Sequence, residues 1–271
     1  MKVHYISDLH LNLWVANKTN PQKIKKSVDK LIEKLGFSHA DVLILAGDLG
    51  HYFIQNSIFL EQVSQFYKMV FLVNGNHDIL LVSGHSQKKY GNSYLNRKKE
   101  MKEFCSKREN LHYLDGETIS FNGIKFAGVG MTWDDSFYQK LYREKPETPD
   151  IKRLYSKKVG DPKIMGDLNP KEYFEEEKRK LDGINSDIDV MITHYGPTVP
   201  DDIRENYKND PKTTFYFFDG ERYLKKLSPK KWIFGHTHDH FDFNVGKTNC
   251  LCNSFGYPNE KNKCRVKSFE I

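Results

Sequence analysis

Short runs of apolar residues recur along the chain: Val3–Ser7, Val42–Ala46, Val70–Val73, Ile124–Val129, Val190–Thr193 and Trp232–Phe234. Several end in glycine or in a polar cluster. Continuous apolar strands of this length imply burial on both faces, between helices or against a second sheet. Between the first two runs, Ile24, Val28, Leu31, Ile32 and Leu35 fall at helical spacing, and Gly36 supplies the stop. Ser57–Tyr67 and Ser93–Lys107 also read as helices. Asn169-Pro170-Lys171-Glu172 opens another, to about Leu181, with the form of a capping box and proline at the first helical position. Asn122-Gly123 between Thr118–Phe121 and Ile124–Ala127 predicts a hairpin, as does Gly246-Lys247 between Phe241–Val245 and Thr248–Cys252. Arg265–Phe269 makes a further strand. The order, β-α-β early and strand pairs later, predicts an α/β fold: a four-layer α/β/β/α sandwich of two mixed β-sheets flanked by helices.

The 271 residues suit one domain spanning residues 1–271 with a core large enough to need no disulfides. Residues 134 to about 185 break the pattern. They lack a clear core strand and hold four of the ten prolines, so they read as an insertion that either caps a site or packs on the surface. The run Glu175 to Lys180 reads as the wet face of a helix.

A formal net charge of +6 favours anionic partners, phosphate esters or nucleic acid, without choosing between them. Cys105, Cys250, Cys252 and Cys264 show no C-x-x-C spacing, which argues against a thiolate zinc site and for reduced thiols. No apolar run approaches the length of a membrane span, and the first strand begins at Val3 with no room for a signal peptide ahead of it. The expectation is a cytoplasmic protein without a membrane partner.

Candidate chemistry collects where the strands end. Asp8-Leu9-His10 follows the first strand, Gly47-Asp48 the second and Gly75-Asn76-His77-Asp78 the third. Thr193-His194 ends a later one, and Gly235-His236-Thr237-His238 follows another. The carboxyl ends of strands in α/β sheets converge on one crevice, so the five segments can meet. Period-two spacing predicts that Asp8 and His10, and His236 and His238, each project from one side of extended backbone. Imidazole, carboxylate and Asn amide oxygen together suit manganese, iron, zinc, cobalt or nickel. Two such cations need a bridging carboxylate between them, and water they share loses its proton near neutral pH. Taken singly, an Asp-x-His, a His-x-His or a lone His194 is commonplace, and Gly-Asn-His-Asp would pass for a turn. The weight lies in all five occurring together, each behind a strand.

The combined motif, from Asp8 to His238, resembles the signature of the calcineurin-like metallophosphoesterase superfamily. Gly130-Met131-Thr132-Trp133-Asp134, Thr193-His194-Tyr195-Gly196-Pro197 and Asn253 to Tyr257 further resemble its bacterial-type, small single-domain members. The resemblance implies a dinuclear, metal-dependent phosphoesterase in which a metal-bridging hydroxide hydrolyses a phosphomonoester or phosphodiester. It implies that Asp8, His10, Asp48 and His238 hold one metal and Asp48, Asn76, His194 and His236 the other. His77 would be electrostatic stabiliser or general acid, with Asp78 its neighbour in that catalytic pair. After Gly47-Asp48 comes Leu49-Gly50-His51 and the third motif ends in Asp78, departures that weigh against a protein phosphatase. A small phosphorylated substrate is the expected partner. A nuclease of the same superfamily is the alternative, although no basic stripe interleaved with aromatics supports it. A non-catalytic scaffold, as in the retromer subunit of this fold, would show an eroded ligand set, and here the set is intact.

Overall fold

The computed structural model describes residues 1–271 except 17–18, 144–149, 160–161, 186, 202, 204 and 261–263 and, for side chains, also 158, 159, 162, 205 and 206. Eleven strands appear among the described residues: β1 (Lys2–Ile6), β2 (Ala40–Ala46), β3 (Tyr67–Val73), β4 (Leu111–Tyr113), β5 (Thr118–Phe121), β6 (Ile124–Gly128), β7 (Val190–Ile192), β8 (Lys231–Phe234), β9 (His240–Val245), β10 (Thr248–Asn253) and β11 (Lys267–Glu270). They form two mixed sheets, ordered β11-β1-β2-β3-β4 and β5-β6-β7-β8-β10-β9. β11, β5 and β9 run antiparallel to their neighbours and every other pairing is parallel.

The doubly apolar runs are explained by where alternate residues go. In β2, Val42 and Ile44 face the second sheet, where they join Val190, Ile192 and Ile233. Leu43 and Leu45 face the opposite way, into a core shared with Ile24, Val28, Phe59 and Leu60 of the outer helices. β8 repeats this on the other side: Ile233 lies between the sheets, while Trp232 and Phe234 pack with Leu181 and Leu224. Period-two alternation thus divides one strand between two cores.

Local chemistry sets the boundaries. Pro21–Leu35 is a helix whose N-cap Asn20 accepts a hydrogen bond from Lys23 N at 3.1 Å, and Gly36 closes it with φ +76°. Pro170–Asp182 begins with Asn169 accepting from Lys171 N at 3.1 Å. Asn122 and Gly123 both have positive φ in the β5–β6 turn, as a two-residue hairpin requires.

The structure corrects or extends the expected elements in several places. The helix expected over Ser57–Tyr67 runs from Phe53 to Val63, and Tyr67 already belongs to β3. Its first turn escaped notice because two of its buried side chains are polar: Gln55 donates to Val15 O and Asn56 to Gly50 O. β4 was not foreseen. The insertion carries two helices that the sequence pattern did not mark, Ser136–Tyr142 and Ile151–Val159, ahead of the expected one at Pro170–Asp182; residues 144–149 and 160–161 lie outside the described residues. Nor is Glu175–Lys180 wholly wet. Glu177 is fully buried, 2.9 Å from Lys98 Nζ and 2.8 Å from Lys180 Nζ, and it accepts from Met131 N. The pairing is what makes that burial tolerable.

All four cysteines are free and buried. Among the described residues, no helix is long and apolar enough to cross a membrane.

Candidate metal centre

The five motif segments meet at the carboxyl ends of β1, β2, β3, β7 and β8, around a cleft of about 630 Å³. Three ligand-forming groups emerge: Asp8, His10 and His238; Asp48, His194 and His236; and His10, Asp48 and His77. Their distances join the groups. His238 Nε2 stands 3.5 Å from Asp8 Oδ1 and 2.9 Å from His10 Nε2. His194 Nε2 stands 3.4 Å from Asp48 Oδ2 and 3.3 Å from Asn76 Oδ1. Asp48 Oδ2 is also 3.8 Å from His10 Nε2, so this carboxylate reaches both sides.

The backbone gets them there by an unexpected route. Asp8, His10, Asp48, His236 and His238 all have φ between 42° and 67°. Left-handed backbone is costly for residues with a Cβ and persists where surrounding structure enforces it. Period-two projection from extended chain is therefore corrected: the side chains converge because each residue turns left-handed just beyond its strand. Two glycines make room. A Cβ on Gly75 would fall 2.1 Å from Asp48 Oδ1, and one on Gly47 (φ +87°) would fall 2.4 Å from His194 Nδ1.

The outer atoms of the imidazoles fix which nitrogen faces inward. His194 Nδ1 lies 2.8 Å from Ala46 O and His236 Nε2 lies 2.9 Å from Phe215 O. A carbonyl accepts only, so each of these nitrogens carries the hydrogen, which turns His194 Nε2 and His236 Nδ1 to the centre. His238 Nδ1 is 2.9 Å from the Glu260 carboxylate, the arrangement that orients metal-binding histidines. Asp8 is held through its two oxygens by His236 N, and its Oδ2 accepts from Ser7 Oγ at 2.5 Å.

The electrostatics fit a bound cation. Asp48 Oδ2 and His10 Nδ1 are buried with no well-formed hydrogen bond. Burial alone would raise the Asp48 pKa, but the charge of His194 holds it well below the usual carboxylate range. Burial likewise works to lower the His194 pKa, and Asp48 outweighs it, pushing His194 up to about 9. A proton on His194 thus compensates the buried carboxylate here, a task a divalent cation would take over on binding. Burial, reinforced by neighbouring imidazoles and opposed by Asp48, drives His10 down to about 2, so this ring is neutral and able to ligate.

His77 borders the cleft, its backbone N–H donating to Asp48 Oδ1 at 2.8 Å. Beside the His77 ring lies His51, whose Nε2 is 2.6 Å from His77 Nδ1, edge to edge with 7° between the ring planes. Asp78 turns to backbone, accepting from Asp48 N and Gly75 N at 2.8 Å and from Gly50 N at 3.1 Å. It latches two motif loops together. Burial first, then the Asp48 charge, raise its pKa to about 6. Arg97 supports the same loops, donating to Gly50 O and His77 O at 3.1 Å and to Leu80 O.

Sequence reasoning passed over His51, Arg97 and Glu260. His51 carried the only local signal, as a histidine three residues beyond Asp48. Of the insertion aromatics, Tyr155 and Tyr173 line the cleft, and Phe137, Tyr138 and Tyr142 are not among its described lining.

Residues 1–240 match the family model described as calcineurin-like phosphoesterase. An uncharacterized protein of Acanthamoeba polyphaga mimivirus, L509, is 25% identical over 273 residues, covering 96% of this chain and 92% of its own. Phosphopantetheinyl hydrolase from Mycobacterium tuberculosis has a similar fold, with a TM-score of 0.68 at 15% identity and coverage of 98% of this chain and 95% of that one.

Proposed function

Since this chain belongs to the calcineurin-like phosphoesterase family, whose hydrolysis of phosphoesters depends on metal, we propose that it hydrolyses small phosphate esters at a two-metal centre bridged by Asp48. Asp8, His10 and His238 complete one side, and Asn76, His194 and His236 the other. One observation carries the reading: Asp48 Oδ2 is buried without a well-formed hydrogen bond yet stands 3.4 Å from His194 Nε2 and 3.8 Å from His10 Nε2, common to both ligand groups. Divalent cations held by these residues would supply Lewis-acid polarisation of phosphoryl oxygens and a lowered pKa for bound water. Manganese, iron, zinc, cobalt and nickel all suit this nitrogen and oxygen set.

The chain's own groups then have distinct tasks. Ala46 O, Phe215 O and Glu260 hold three imidazoles in one orientation each, so little reorganisation accompanies the reaction. His77 faces the cleft outside the two ligand sets and gives the proton that the departing alkoxide needs, or stabilises charge beside it. The phosphorus–oxygen ester bond breaks, water supplies the new oxygen, and the alcohol leaves protonated. A cleft of about 630 Å³ is the size of a small-molecule site, which favours a compact phosphorylated substrate over a polymer.

The test is reconstitution. Chelated protein regains hydrolysis of p-nitrophenyl phosphate or bis(p-nitrophenyl) phosphate when manganese, cobalt, nickel or zinc is restored, with two metals per chain by elemental analysis. Asp48→Ala loses both metal and turnover. Normal turnover in that variant rules out the site.

A further inference from the structure

The cleft extends past the ligand groups, and its lining there combines apolar side chains with uncharged tyrosine and threonine side chains. Ile79 and Leu80 follow the Asn76–His77 segment, and Ile164 and Leu168 come from the insertion. A hydrogen bond from Leu81 N to Ile164 O pins these two segments together. An aromatic group continues the lining: Trp133 lies 5.0 Å from Tyr155 and 4.7 Å from Phe215 between ring centroids, and Tyr155 lies 5.5 Å from Phe215. Beyond the motif residues, the charged side chains on the lining are acidic, Asp239 and Glu260. Neither lysine nor arginine appears there among the described residues.

Resting on the hydrolase reading above, we infer that the substrate carries a single phosphoryl group on an uncharged arm with a flat or branched apolar surface. The phosphoryl oxygens belong at the ligand groups, where positive charge is concentrated once metals are bound. A second phosphate or a carboxylate on the arm would lose hydration among these uncharged side chains and meet Asp239 or Glu260 in place of a cation. An apolar arm instead gains by leaving water against Leu80, Leu168 and the aromatic group. A polynucleotide, with one charge on every nucleotide, is the wrong chemistry for this wall.

The experiment is calorimetric titration of manganese-loaded protein with three non-hydrolysable probes: methylphosphonate, 1-naphthylmethylphosphonate and 3-phosphonopropionate. The naphthyl probe binds at least about tenfold tighter than methylphosphonate, the scale of discrimination an apolar pocket gives. The carboxylate probe binds no tighter. Tyr155→Ala narrows the naphthyl-to-methyl ratio, and Leu168→Lys, by placing a cation on the wall, tightens 3-phosphonopropionate. If the wild-type protein binds methylphosphonate yet the naphthyl probe binds no better, or the carboxylate probe binds best, the apolar-arm inference is overturned and the hydrolase reading stands. If no phosphonate binds and no phosphate ester is hydrolysed, the hydrolase reading falls, and the inference with it.

Discussion

The imidazole rings of His51 and His77 meet edge to edge, 7° between their planes with centroids 4.8 Å apart, and His51 Nε2 lies 2.6 Å from His77 Nδ1. One histidine therefore fixes the other's orientation at the edge of the cleft. In the proposed reaction His77 acts on the leaving group without completing either ligand set. His77→Gln keeps two metals and loses about 10²–10⁴-fold in kcat. The loss is smaller for p-nitrophenyl esters than for alkyl esters, because a good leaving group needs less protonation. His51→Ala falls between that variant and the wild type. Elemental analysis beside the kinetics checks the division of labour, and a half-filled centre in His77→Gln overturns it.

Glu260 orients His238 from 22 residues away and also accepts from Tyr257 N at 2.7 Å. Glu260→Gln weakens metal binding by about 10–100-fold, the usual cost of losing an orienting carboxylate. Competition with a calibrated chelator reads this directly. Unchanged affinity would mean that His238 needs no orientation or is not a ligand.

Gly75 has φ −100° and is under no conformational constraint, so its importance is steric. Gly75→Ala places a methyl against the Asp48 carboxylate. The added carbon also lies 2.6 Å from Asp48 N, so the variant binds less metal and turns over more slowly, with circular dichroism reading whether the fold is kept. Full metal occupancy with unimpaired kcat would show that Asp48 can move without consequence.

The latch formed by Asp78 gives the metal-free protein a pH dependence. Its pKa is 3.8 ordinarily and about 6 in the fold. Between those values the folded state binds a proton that the unfolded chain has released, which favours folding. This contribution is present on the acid side and is lost as pH rises through about 6. With chelator present, the Tm of the wild type thus falls more steeply from pH 4.5 to 7 than that of Asp78→Asn. Parallel Tm profiles would show that the Asp78 carboxyl is not raised.

Glu177→Ala tests the buried charge cluster. It leaves the Lys98 ammonium, 5% exposed as a residue, with Asp115 alone. Breaking such a pair costs about 3 kcal/mol. Urea unfolding measures it, and a loss below about 1 kcal/mol would mean that Asp115 suffices.

The sequence by itself determined the strands other than β4, the four layers and the motif segments, because the relevant signals are local. Alternate residues of Val42–Ala46 must face opposite ways, and metal-ligand residue types directly after strand ends can be read off a few consecutive positions. Tertiary structure alone decided how those residues converge and what supports them. The left-handed turns at Asp8, His10, Asp48, His236 and His238 are imposed by the surrounding loops, and alternation along the sequence gives the wrong geometry for them. Glu260 meets His238 and Arg97 meets His77 O only through the path of the chain, so neither partner marks the other in the sequence. Glu177 looked like one charge among many from Glu175 to Lys180. The docking of Lys98 and Met131 onto that helix takes it out of water, and burial depends on what packs against a residue as much as on its own chemistry.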